Sequence, residues 1–139
     1  MNKVLMTLIF LLILLMGCQD NHVSKDTWGS KQNISMEDIS EIEIQKKEDS
    51  DVILPEQEIN SFMNAINRGV YDAGKLDIGP SDYTVEINLK SGNTKELSIW
   101  VAEGGNLFTD HDESGHYKLG LSELTQIREI LDEVYPQNK

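Results

Sequence analysis

The chain has 139 residues, with 12 Lys and Arg against 24 Asp and Glu, a formal net charge of −12, and a single cysteine. This length makes one domain with a modest core, and one cysteine excludes a disulfide within the chain. The acidic balance argues against nucleic acid and against electrostatic attachment to anionic lipid heads, both of which need clustered Lys and Arg.

At the N-terminus Lys3 is followed by Val4 to Met16, apolar except for Thr7, and then by Leu15-Met16-Gly17-Cys18, the last pair closing the run. Thirteen residues reach about 20 Å as a helix, short of the ~30 Å hydrocarbon core of a bilayer, so a permanent span is disfavoured. The positive flank, apolar run and small residue before the cut describe a secretory signal. The cysteine at its end resembles the lipobox of bacterial lipoproteins. That resemblance implies that Cys18 becomes the first mature residue and carries a thioether-linked diacylglycerol and a further fatty acyl chain such as palmitate. Two or more chains anchor stably where one does not. Cleavage before Cys18 removes 17 of the 139 residues, leaving 122, and takes Lys3 with it, so the net charge moves from −12 to −13. The expectation is an extracytoplasmic protein held to the cell membrane by lipid.

Residues 18–37 are polar beyond the cysteine and without sustained periodicity, and are expected to form a flexible tether with a typical reach of roughly 24 Å. Trp28 is unusual there. It suits either the membrane interface or a cover over the domain. The folded region is expected over 38–139. Ile42 and Ile44 alternate with Glu41, Glu43 and Gln45 as in a half-buried strand, and 51–54 reads as a short continuation. Pro55 suits the first turn of a helix, with Glu56 and Glu58 near its positive end. Ile59, Phe62, Met63 and Ile66 form its apolar face, and Gly69 is expected as a left-handed cap.

A short strand is expected within 70–78. Tyr83, Val85, Ile87 and Leu89 then alternate with polar residues, Ser91-Gly92-Asn93 supplies a turn, and Leu97, Ile99 and Val101 alternate again: an antiparallel hairpin with one dry face. Leu107 to Thr109 and His116 to Leu119 read as a second hairpin across a polar loop. A helix from about Ser122 to Val134 closes the chain, with Leu121, Leu124, Ile127, Ile130, Leu131 and Val134 as its stripe. The fold class is α+β: one antiparallel sheet of about four to six strands with two helices on one face.

From Ile39 to Val134 the chain resembles the YhfM-like domain of small Bacillus-type membrane-anchored proteins. The resemblance is carried by Ile66-Asn67-Arg68-Gly69 at the first helix end, Asp82-Tyr83 entering a strand, Leu97-Ser98-Ile99-Trp100-Val101, and His116-Tyr117-Lys118-Leu119 before the closing helix. It implies this fold and the outer face of a Gram-positive cell membrane, and it implies no chemistry.

Asp110, Asp112 and Ser114 at alternate positions, followed by Gly115, match the first half of a calcium loop. Leu121 stands where the bidentate Glu belongs, and Glu123 comes two residues late. A solvated turn is therefore expected in preference to a weak calcium site. His111 and His116, five apart with no third strong ligand fixed nearby, do not make a zinc site. No Gly-x-Ser-x-Gly elbow or phosphate-binding glycine loop occurs, so no enzyme and no resident cofactor are expected. Trp100 falls on the face opposite Leu97, Ile99 and Val101. It is the candidate interaction surface for an envelope protein partner, since aromatic anchors dominate binding hot spots, unless a neighbouring segment covers it.

Overall fold

The computed structural model describes residues 26–136. Helix α1 spans Trp28–Gln32 and a 3₁₀ turn Met36–Asp38. The strands are β1 Ile39–Lys46, β2 Val52–Ile53, β3 Val70–Asp72, β4 Tyr83–Leu89, β5 Thr94–Trp100, β6 Leu107–Asp110 and β7 His116–Lys118. The two longer helices are α2 Glu56–Asn67 and α3 Leu121–Val134. The strands form one antiparallel sheet in the order β2-β1-β4-β5-β6-β7-β3. Seven strands exceed the four to six expected, because two-residue β2 folds back beside β1 and three-residue β3 is carried to the far edge.

The alternating strands bury one face. Ile42, Ile44, Val85, Ile87, Leu97 and Ile99 are fully covered, and α2 and α3 lie against them. Ile39 and Ile42 both point inward although three apart, because the β1–β4 register slips between Ile39 and Glu41. A bulge absorbs the extra residue and restores the alternation. On α2 the covered residues are Phe62, Met63, Ala65 and Ile66; on α3 they are Leu124, Ile127, Ile130 and Leu131. Leu121, expected in that stripe, is 81% exposed at the first position of α3.

Gly69 does not adopt the left-handed conformation expected of it. Its constraint is space, since a Cβ there would come within 2.5 Å of the Phe108 ring. At the C-terminus, the Tyr135 hydroxyl donates to the carbonyls of Ile44 (2.7 Å) and Ser50 (3.1 Å), pinning the end of α3 to the β1–β2 hairpin.

The N-terminal boundary moves. Residues 26–37, expected as the end of a tether, pack onto the domain. The Asp26 carbonyl accepts from Tyr71 N at 2.8 Å and Trp28 N donates to Gly69 O at 3.0 Å, so the chain enters alongside edge strand β3. Thr27 and Ser30 cap α1 reciprocally, and Trp28 is completely buried. The membrane-interface alternative for Trp28 is thereby removed. Cys18, the apolar run before it and tether residues 19–25 lie outside the described residues.

Candidate functional site

Three places collect polar chemistry, and each is built by strand register. The first is the β6–β7 loop. Register pairs Leu97 with Asp110, so Asp110 points into the core face and is 1% exposed. Its Oδ2 accepts from the Trp28 indole Nε1 at 2.9 Å and its Oδ1 from Asp112 N at 3.0 Å. The Lys95 ammonium stands 3.7 Å from Asp110 Oδ2 and 2.8 Å from Asp112 Oδ2. Tyr71 donates to the Ser114 carbonyl at 3.1 Å, and Gly115 has φ +85°, pressed against Tyr71.

The three residues weighed as a weak calcium site, in second place to a solvated turn, are engaged otherwise: Asp110 and Asp112 by Lys95, and Ser114 through its carbonyl by Tyr71. The charge facing the two carboxylates is that of Lys95. Among the described residues no group of three or more His, Cys, Asp or Glu side chains is placed to hold a metal ion. The hydrogen bond to Lys95 also holds the Asp112 carboxyl below its ordinary range. Glu113 extends the cluster. It accepts from Gln32 Nε2 at 2.7 Å and from the Tyr117 hydroxyl, and Lys31 Nζ lies 3.7 Å away. Tyr117 stacks on Phe108, which meets the Trp28 ring edge-on. This polar cluster is a clasp that fastens α1 to the hairpin.

The second place surrounds Trp100, which pairs with Leu107 on the outer face of the sheet. The segment 73–82 leaves edge strand β3, crosses that face and enters β4. The indole Nε1 donates to Gly79 O at 2.9 Å, and half-exposed Ile78 shares with Trp100 and Leu107 a shallow groove of about 270 Å³. Beneath the same segment His116 is 3% exposed, its Nε2 3.9 Å from Asp72 Oδ2. A larger groove of about 730 Å³ opens beside Tyr83, between Lys46 and Asp132. Its walls are occupied by structural bonds. Arg128 donates to the carbonyls of Val101 (2.6 Å), Ala102 and Gly105, and Asp82 accepts from Val101 N and Ala102 N.

The third place is the outer face over β4 and β5. Glu43, Glu86 and Glu96 stand directly across from one another, as do Thr84, Ser98 and Thr109 in the adjoining row. His111 follows β6, and its backbone N donates to Glu96 O at 3.0 Å, continuing the ladder by one residue. The ring thereby bridges both rows: Nε2 is 2.8 Å from Ser98 Oγ, and Nδ1 is 2.9 Å from Glu96 Oε1. Sequence reasoning missed this contact. The Glu96-x-Ser98 spacing signals one shared face, but nothing local places His111 across from it.

The family described as YhfM protein matches residues 35–137. The chain belongs to the YhfM family. That match begins near the 3₁₀ turn and runs past α3, so it takes in all seven strands, both long helices, the surroundings of Trp100 and the outer face over β4 and β5. Of the first polar place it takes in only the hairpin side, without the α1 residues Trp28, Lys31 and Gln32. Searches of curated proteins and of solved structures find no match. No helix among the described residues of this YhfM-family chain is long and apolar enough to cross a membrane.

Proposed function

We propose that this YhfM-family chain is a lipid-anchored extracytoplasmic interaction module. It is held at the membrane through Cys18 and engages an envelope protein through the outer sheet face around Trp100. The observation that carries the proposal is the apolar run from Val4 to Met16 ending in Gly17 and the only cysteine. The acidic balance supports it indirectly, because a chain of net charge −12 gains nothing from anionic lipid heads and needs another means of attachment. Packing of Asp26 onto β3 shortens the leash: from Cys18 to Asp26 a fully extended backbone spans at most about 28 Å. An anchored domain would work within that distance of the lipid. Trp100, Leu107 and Ile78 supply an aromatic and apolar patch of the kind that anchors partners.

The test is fractionation with metabolic labelling by a tagged fatty acid. The wild type is expected in the membrane fraction with label, and Cys18→Ala is expected without label and released. Retention of an unlabelled Cys18→Ala chain in the membrane would overturn the anchor. On the labelled protein, Trp100→Ala is expected to lose crosslinking to its envelope partner while still folding, at a cost of about 1 kcal/mol for the lost bond to Gly79 O. Unchanged crosslinking would move the interface elsewhere.

A further inference from the structure

We infer that Ser98 is a nucleophile activated by His111 and Glu96, and that the outer sheet face hydrolyses short-chain carboxylic esters. The inference stands apart from the interaction role and departs from the expectation of no enzyme. That expectation rested on the missing nucleophile elbow and phosphate-binding glycine loop, and an elbow is only one way to position a serine. Here register does it. Glu96 and Ser98 share a face of β5, and one extra ladder bond swings His111 over both.

The chemistry depends on which nitrogen meets which partner. A single neutral tautomer, with the proton on Nδ1, donates to Glu96 and leaves Nε2 free to accept the Ser98 hydroxyl proton. Nucleophile, base and orienting carboxylate within hydrogen-bond reach, in that order, are the geometric signature of an activated hydroxyl. Thr84 and Thr109 flank Ser98 directly across the neighbouring strands, where cross-strand Cβ atoms lie about 5 Å apart. These two hydroxyl-bearing side chains are the neighbouring donors from which an oxyanion developing beside Oγ would draw hydrogen bonds. His111 and Glu96 are 43% and 44% exposed at their side chains, so an ester borne on a large molecule can reach the relay. The adjoining row of Glu43 and Glu86 disfavours anionic substrates and selects neutral or cationic esters.

In the step proposed, Ser98 Oγ adds to the ester carbonyl carbon as its proton passes to His111 Nε2, and Glu96 faces the imidazolium. Collapse breaks the bond between the carbonyl carbon and the ester oxygen. The departing alkoxide takes the proton from Nε2 and leaves as an alcohol, with the acyl group on Ser98. Water repeats the sequence, releasing the carboxylic acid and restoring the hydroxyl.

The experiment treats the purified full chain with a fluorophosphonate probe, locates the adduct by tandem mass spectrometry, and follows p-nitrophenyl acetate hydrolysis in parallel. The adduct is expected on Ser98, and Ser98→Ala is expected to abolish both labelling and ester hydrolysis. Positioned general-base catalysis contributes about 10²–10⁴-fold, so His111→Gln is expected to slow labelling by about 10²-fold, with a smaller loss for Glu96→Gln. Both variants alter half-exposed side chains and should keep the wild-type melting temperature. Absence of a Ser98 adduct in the wild type, a reading that needs no variant, would overturn the inference. So would equal labelling rates in His111→Gln and wild type.

Discussion

A carboxylate as deeply buried as that of Asp110 is tolerable only because donors surround it: the Trp28 indole, Asp112 N and the nearby Lys95 ammonium. Trp28 therefore has two tasks, filling space against Phe108 and satisfying Asp110. Trp28→Ala is expected to cost about 3–5 kcal/mol through the cavity it leaves. Trp28→Phe keeps most of the volume but strips the indole donor, and is expected to cost about 1–3 kcal/mol. Urea unfolding measures both, and a Trp28→Ala midpoint no different from that of an ordinary surface substitution would show that α1 is not packed as described. The residue itself is conspicuous in the sequence, standing in a polar stretch, but its burial is not. Its partner Asp110 lies 82 positions away, and only the β5–β6 register turns that carboxylate inward.

At the scale of elements, the β6–β7 hairpin shows how a local pattern can mislead. Alternate acids followed by Ser-Gly suit a cation loop when read along the chain, whereas across the sheet Ile87 pairs with Lys95 and Leu97 with Asp110. That places Lys95 beside both carboxylates, where a cation would otherwise sit. Calcium at millimolar concentration is expected to leave the melting temperature unchanged, although specific binding would raise it by mass action. A calcium-dependent rise that disappears in Asp112→Ala would restore the calcium site. Elements with strong internal periodicity, β4, β5, α2 and α3, were legible because one face of each is dry over most of its length. Short β2 and β3 carry too few residues for a period. The exposure of Leu121 escaped because the stripe does not reveal where along α3 the covering sheet ends.

Over the whole molecule, the perturbed groups set a pH window. Burial pushes the Tyr117 hydroxyl well above its ordinary 10.0, helped by its hydrogen bond to Glu113, and burial also raises Tyr83 and Tyr135. The hydrogen bond to Asp49 raises Lys46; for Lys95, burial acts downward but is outweighed by Asp112 and Asp110. Each of these folded-state groups keeps its proton where the unfolded chain would release it. Their stabilisation is thus complete below about pH 10 and is lost as pH rises through the folded values. Asp72 and Asp112 are held below 3.8 by Lys118 and Lys95, so their contribution is present above that value and lost in acid. Urea midpoints between pH 3 and 11 are expected to form a plateau falling at both ends, and Tyr117→Phe should flatten the alkaline fall. An alkaline limb as steep in that variant as in wild type would remove Tyr117 as a contributor.

By itself the sequence determined the α+β class, the central hairpin and both long helices, because periods of two and near four residues are local consequences of which faces must be dry. The sequence also supplies the argument for lipid attachment at Cys18, from an apolar run of limited length. Only the tertiary structure decided the strand order, the burial of Trp28, the pairing of Asp110 and Asp112 with Lys95, and the meeting of Ser98 with His111 and Glu96. These depend on register between strands, and a slip of one residue would send each side chain to the opposite face.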